Sequence, residues 1–219
     1  MISLQAQNTF GNMESLVTNF KELYGDIDIY LFDQLLKGTY SGCQTILDAG
    51  CGTGRNIFYF MKNDFHVYGV DQNPDAINYV QQLADTLGRE TTRDHFIQAP
   101  VEDLPFSDEQ FDLVISSAVL HFAKNLEHFH SMLYSMWRVL KKDGYLFCRL
   151  ASDIGMESSL RFVGNGRYIL PDESERFLVN QEMLLRLTKK LKGTLHEPIK
   201  TTNVQNQRCM TTWCIQKNC

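Results

Sequence analysis

Residues 45–56 read TILDAGCGTGRN, and this stretch decides the fold. Ile46 and Leu47 run into an acid, Asp48, and glycines then occupy the alternate positions 50, 52 and 54. A short apolar run that stops at glycine has the pattern of a buried strand. Glycine lets the backbone turn tightly and lets a ligand approach with no Cβ in the way. In a parallel sheet, ligands sit beyond the carboxyl ends of the strands where the winding reverses. A helix expected from about residue 54 to 63 would aim its free N–H groups and positive dipole end at that space.

Outward from this turn, short apolar runs (45–49, 67–71, 95–99, 111–116 and 145–150) alternate with amphipathic segments near 54–63, 74–88 and 125–141. Pro74 after Asn73 suits a helix's first turn. Such alternation predicts an α/β fold whose parallel sheet is covered on both faces. Upstream, Met13, Leu16, Val17, Phe20 and Leu23, then Ile29, Phe32, Leu35 and Leu36, recur at helical spacing. Residues 1–40 therefore read as a helical cover. Downstream, 151–177 reads as long, irregular and too polar for core. A helix over 180–192 follows, and TLHEPIKTT and QRCMTTWCIQK form a closing antiparallel hairpin. No linker divides the 219 residues, so 1–219 is expected to be a single domain, with 44–150 as its ligand-binding core and 151–219 on the substrate side.

The composition is that of a globular protein, with 43% hydrophobic and 21% charged residues. A formal net charge of −5 argues against a polyphosphate partner, which needs clustered Lys and Arg. The six cysteines form no C-x-x-C pair and read as thiols in a reducing cytoplasm. No signal-like start and no membrane-length apolar run is present. His128 and His130 lack further ligands at metal spacing, so no metal is expected. Cys209 has no base fixed beside it that would make it a nucleophile. A monomer and a homodimer both fit the sequence.

The glycine spacing and the acids around it narrow the ligand. Dinucleotide sites read G-x-G-x-x-G, whereas here the pattern is G-x-G-x-G with Asp48 two residues ahead. A carboxylate that close repels a pyrophosphate and suits a cationic amine. Asp71, ending VYGVD, is placed to accept from a ribose diol. Amine plus ribose describes S-adenosylmethionine better than a dinucleotide. With ILDAGCGTGRN, VYGVDQNP, APVEDLPFSDEQFDLVISSAVLHF and RVLKKDGYLFCRL in order, the chain resembles the class I S-adenosylmethionine-dependent methyltransferases of domain type 11/25, including small tellurite-resistance-type members.

That resemblance implies a Rossmann-like, doubly wound seven-stranded sheet of order 3-2-1-4-5-7-6 with strand 7 antiparallel. It implies S-adenosyl-L-methionine as cofactor, S-adenosyl-L-homocysteine as product and a small-molecule acceptor. It places the methionyl part on Asp48, Ala49, Gly50, Cys51, Gly52 and Gly54. Asp71 would take the ribose, with Gln72 and Asn73 packed on the adenosine. Val101 and Glu102 would lie along the adenine, and Ser117 under the cofactor. Pro100 stands where many relatives carry an acid for the adenine amine, leaving that reading to Val101 and Glu102.

Further candidates come from chemistry. Arg55 could pair with the methionyl carboxylate. His121, after the fourth strand, is the candidate base or acceptor contact, although an amine or anionic acceptor needs no base. Tyr24 and Phe10 lie in the cover. Arg161, Arg167, Arg176 and Arg208 suit capture of an anionic acceptor. An Asn/Asp-Pro-Pro-aromatic run, the mark of nucleic-acid amine methylation, is absent; SSAVLHF stands there. A tRNA or protein acceptor and a non-catalytic binding module are the competing readings.

Overall fold

The structure is a computed structural model that describes residues 20–218. Phe10, Met13, Leu16 and Val17 lie outside the described residues.

The expected alternation folds as one main sheet. Its strands are β1 (Thr45–Ala49), β2 (His66–Asp71), β3 (Phe96–Gln98), β4 (Phe111–Ser117), β5 (Leu140–Ser152), β9 (Gly193–Leu195), β10 (Lys200–Val204) and β11 (Arg208–Lys217). From one edge the order is β3-β2-β1-β4-β5-β11-β10. β1 through β5 pair in parallel, and β11 runs antiparallel to both β5 and β10. This is the expected 3-2-1-4-5-7-6 order. The last edge position is divided. Pro198, which cannot donate to a ladder, stands between β9 and β10, and each pairs with a different part of β11.

Helices cover both faces. α1 (Ile29–Leu36), α2 (Phe58–Lys62) and α3 (Pro74–Thr86) lie on one side; α4 (Leu126–Val139) and α5 (Gln181–Lys190) lie on the other. The strands feed both cores by alternation. Ile46, Leu113, Ile115 and Phe147 join the α1–α3 side, whereas Leu47, Val114, Leu146 and Trp213 join the α4–α5 side. This burial on both faces is what makes the strands continuously apolar. Each helix from α3 onward starts at an asparagine cap: Asn73, Asn125 and Asn180 accept from the backbone N–H of Asp75, His128 and Met183.

Two expectations need correction. The helix expected over 54–63 is regular only over Phe58–Lys62, because 50–57 is spent in turns with Gly50, Gly52 and Gly54 all at positive φ. The turn itself, rather than a helix dipole, therefore shapes the ligand space. The stretch read as irregular forms a second, three-stranded antiparallel sheet of β6 (Arg161–Gly164), β7 (Arg167–Ile169) and β8 (Glu175–Phe177). Its strands are only three or four residues long and mostly solvated, so they leave no long apolar period to read. Phe177 anchors it by stacking on Phe129 of α4 at 5.0 Å.

Candidate active site

The turn after β1 is held by backbone and by Asp71. The N–H groups of Gly50 and Cys51 both donate to the Val70 carbonyl, at 2.8 and 2.9 Å. Asp71 accepts from the Gly52 N–H and the Asn73 N–H, each at 2.9 Å, and so ties the glycine turn to the end of β2. A Cβ at Gly50 would come within 2.4 Å of Val119, and φ there is +87°. At Gly52 a Cβ would meet nothing within 4 Å, so this glycine faces open space. Cys51 turns its side chain inward: its Sγ fills the place of a Cβ on Gly69, and burial pushes the thiol up.

Asp48 is the electrostatic centre. It is 1% exposed, and neither carboxylate oxygen has a hydrogen-bond partner among the described residues. Burial pushes its carboxyl up to about 8, opposed by the nearby Arg55 charge and reinforced by Asp71. An uncompensated buried carboxylate is costly unless a cation completes it.

A cavity of about 300 Å³ opens in front of the turn. Gly50, Asp71, Gln72, Val101, Glu102 and Phe122 are among its walls, and Pro100 lines it too. The Val101 N–H, first in a short helical turn, meets no acceptor among the described residues and is free to donate. Glu102 lies 3.0 Å from His128 Nε2, close enough for an ion pair but not aligned as a hydrogen bond. Ala49 is buried in the core, and Ser117 Oγ accepts from Arg55 at 3.4 Å.

A second cavity of about 370 Å³ adjoins the first, and Ala118 and Phe122 line both. Ala118 has φ +63° and donates its N–H to the Arg149 carbonyl, so the chain leaves β4 by a sharp turn between the two spaces. His121, Arg149, Arg176 and Arg208 face the second cavity. His121 is 5% exposed, and its Nδ1 accepts the Ala151 N–H at 3.2 Å. The proton of the neutral ring therefore sits on Nε2. Burial, then the Arg176 and Arg208 charges, lower its pKa to about 4.

The structure thus gathers Gly50, Asp71, Gln72, Val101 and Glu102 at one cavity and His121 and Arg208 at the other. It does not bring the remaining acceptor candidates there. Tyr24 packs against Phe32 and Tyr59, with ring centroids at 4.7 and 5.0 Å. Arg161 is exposed. Arg167 bonds Glu175 and the Ala123 carbonyl, both at 2.6 Å. Two residues escaped the sequence reading. Asp28, buried at 2% exposure, pairs with Arg149 at 2.8 Å and lies 3.6 Å from Arg55. Asp28 is legible as the N-cap of α1, where it accepts from Tyr30, but no spacing links it to Arg149.

Fold and site together define a Rossmann-like domain with a cavity in front of the glycine turn. Residues 47–148 match the methyltransferase domain family. That match spans just under half of the chain and agrees with its resemblance to the class I S-adenosylmethionine-dependent methyltransferases. It is 35% identical over 127 residues to the uncharacterized methyltransferase YodH of Bacillus subtilis, covering 58% of this chain and 48% of that protein. It is also 35% identical over 109 residues to the malonyl-[acyl-carrier protein] O-methyltransferase of Enterobacter lignolyticus, covering 49% of this chain and 39% of that protein. The chain thus spans about half or less of the length of these relatives. Among solved structures it shares its fold with a 1,6-didemethyltoxoflavin-N1-methyltransferase from Burkholderia thailandensis, with TM-score 0.65, 18% identity and coverage of 98% and 89% of the two chains. A methyltransferase from Clostridium acetobutylicum gives TM-score 0.67 at 12% identity, covering 98% and 100%. No helix among the described residues is long and apolar enough to cross a membrane.

Proposed function

We propose that the chain transfers a methyl group from S-adenosylmethionine to a small-molecule acceptor by in-line displacement. The observation that carries this is Asp48, a fully buried carboxylate whose two oxygens lack partners beside a glycine turn. A bound ammonium completes that carboxylate, and the open face of Gly52 admits the chain that bears it. Asp71 would accept from the ribose, the free Val101 N–H would read the adenine, and Arg55 would meet the methionyl carboxylate. The cofactor supplies a methyl already activated on a sulfonium, so the chain's own task is alignment and exclusion of water.

Ala118 and Phe122, on both walls, stand where the methyl would pass. His121 contacts the acceptor through Nε2–H, as a donor, because its Nδ1 is spent on Ala151. Isothermal titration with S-adenosylmethionine, S-adenosylhomocysteine and NAD tests the reading. The two adenosyl ligands are expected to bind and NAD is not; binding of NAD alone would refute the proposal.

A further inference from the structure

We infer, resting on the methyltransferase reading above, that the second cavity takes a small carboxylic acid, held as its carboxylate by Arg176 and Arg208, and that a carboxylate oxygen is the methyl acceptor.

Charge carries the first step. In a chain of net charge −5, three arginines face this one cavity. Arg149 is neutralised from behind by Asp28, at 2.8 Å. Arg208 leans on Asp172 at 3.3 Å and stays half exposed. Arg176 has no carboxylate within ion-pair distance among the described residues. Its guanidinium donates to the Glu175 carbonyl and lies over the Phe122 ring, 4.8 Å from the centroid. Even with Asp28 counted behind Arg149, the three arginines of the wall outnumber their acids by one cation. That cation rests on the aromatic ring lining both cavities, beside the passage to the methyl donor. A guanidinium with spare donors matches a carboxylate. Leu170, Met210, Ala151 and Val204 complete the walls and suit a compact apolar body.

The second step is the absence of a base among the residues of this wall. His121 offers an N–H, not a lone pair. Burial works to raise Asp172, but the Ser174 hydrogen bonds and Arg208 prevail and hold it below the usual carboxylate range. The arginines stay protonated. An acceptor that must shed a proton, such as an alcohol, finds nothing here to take it; a carboxylate arrives ready. An oxygen lone pair forms the new O–CH3 bond while the S–CH3 bond breaks and its electron pair stays on sulfur. Anion and sulfonium become a neutral ester and a neutral thioether, and no proton moves.

The test pairs acids with their amides. With S-adenosylhomocysteine saturating, benzoate and isobutyrate are expected to bind at least tenfold tighter than benzamide and isobutyramide. Arg176→Gln and Arg208→Gln, at partly exposed positions, should each abolish most of that preference. With radiolabelled methyl donor and a panel of small acids, the label should be released by alkali as volatile methanol, the signature of a methyl ester. Acids binding no tighter than their amides, or label fixed in alkali-stable form, would overturn the inference. Failure of S-adenosylhomocysteine itself to bind would instead overturn the methyltransferase reading, and the acid–amide preference is read separately without it.

Discussion

The two cavities share a wall but are built in opposite ways. The first cavity is made at the ends of parallel strands, by the turn after β1, by Asp71 closing β2, by the loop after β3 and by the exit of β4, with α4 beside it. Its polar walls include backbone of the turn after β1, Asp71 at the end of β2 and Glu102 in the turn after β3, with Asp48 buried behind them. The second cavity draws on the exit of β4, the end of β5, the β7–β8 connection, the end of β10 and the start of β11. Its polar work is done by arginine side chains far apart in sequence. Strand ends of one sheet are fixed relative to each other by the ladder, which sets the geometry of the first cavity. The second cavity depends in part on a small second sheet that lies outside that ladder.

The sharpest way to break this contrast is Asp48→Asn. Removing one partner of a buried charge pair costs about 3 kcal/mol or more, so S-adenosylhomocysteine affinity should fall roughly 150-fold. The same change should stabilise the free protein. The folded-state pKa of Asp48 is raised to about 8 from 3.8, so the native chain keeps a proton that the unfolded chain sheds. The resulting penalty is absent below about pH 4 and grows to its full value above about pH 8. The melting temperature of Asp48→Asn should therefore exceed that of the parent by a margin that widens between pH 5 and 9. A margin that is flat with pH would show that the carboxylate is already ionised in the free protein. For the same reason, ligand binding at pH 7 should release a proton, visible as a dependence of the titration heat on the buffer's ionisation enthalpy.

Asp71→Ala probes the turn rather than the buried charge. It deprives the Gly52 and Asn73 N–H groups of their acceptor, along with any ribose contact. Charge-assisted bonds of this kind are worth about 2 kcal/mol, so a loss of roughly 30-fold in S-adenosylhomocysteine affinity is expected by calorimetry. Asp71→Asn, which keeps one acceptor oxygen, should lose less. Unchanged affinity in the alanine variant would remove Asp71 from the site.

This contrast also explains what the sequence could show. Asp48, the glycines and Asp71 were legible because β-strand period and turn chemistry bind them to their neighbours within a few residues. The sheet order came with the resemblance and needed only the hairpin of β10 and β11 beside it. The β6–β8 sheet was illegible because three-residue, half-solvated strands carry no period, and its anchor, Phe177 on Phe129, is a long-range contact. α2 is shorter than the pattern predicts because Gly50, Gly52 and Gly54, all at positive φ, hold the residues before it in turns. Arg176 and Arg208 stood out as charges, yet nothing in their spacing separates them from Arg161 and Arg167. Only the fold shows which guanidinium faces a cavity.

That last distinction gives the smallest effects and the cleanest test of the second cavity. Arg167 spends its guanidinium on Glu175 and on the Ala123 carbonyl, tying the second sheet to the loop after β4. Arg167→Ala should cost about 1–2 kcal/mol of stability, a fall of roughly 2–8 °C in melting temperature for a domain of this size. Its affinity for S-adenosylhomocysteine should change less than about twofold, since no donor-side residue touches it. Arg161, exposed and without an ion pair among the described residues, should give neither effect when changed to Gln. If Arg167→Ala instead kept its melting temperature and lost only the preference for acids over amides, Arg167 would belong with Arg176 in the acceptor site. The second sheet would then act as a binding surface in its own right, not as the support that positions one.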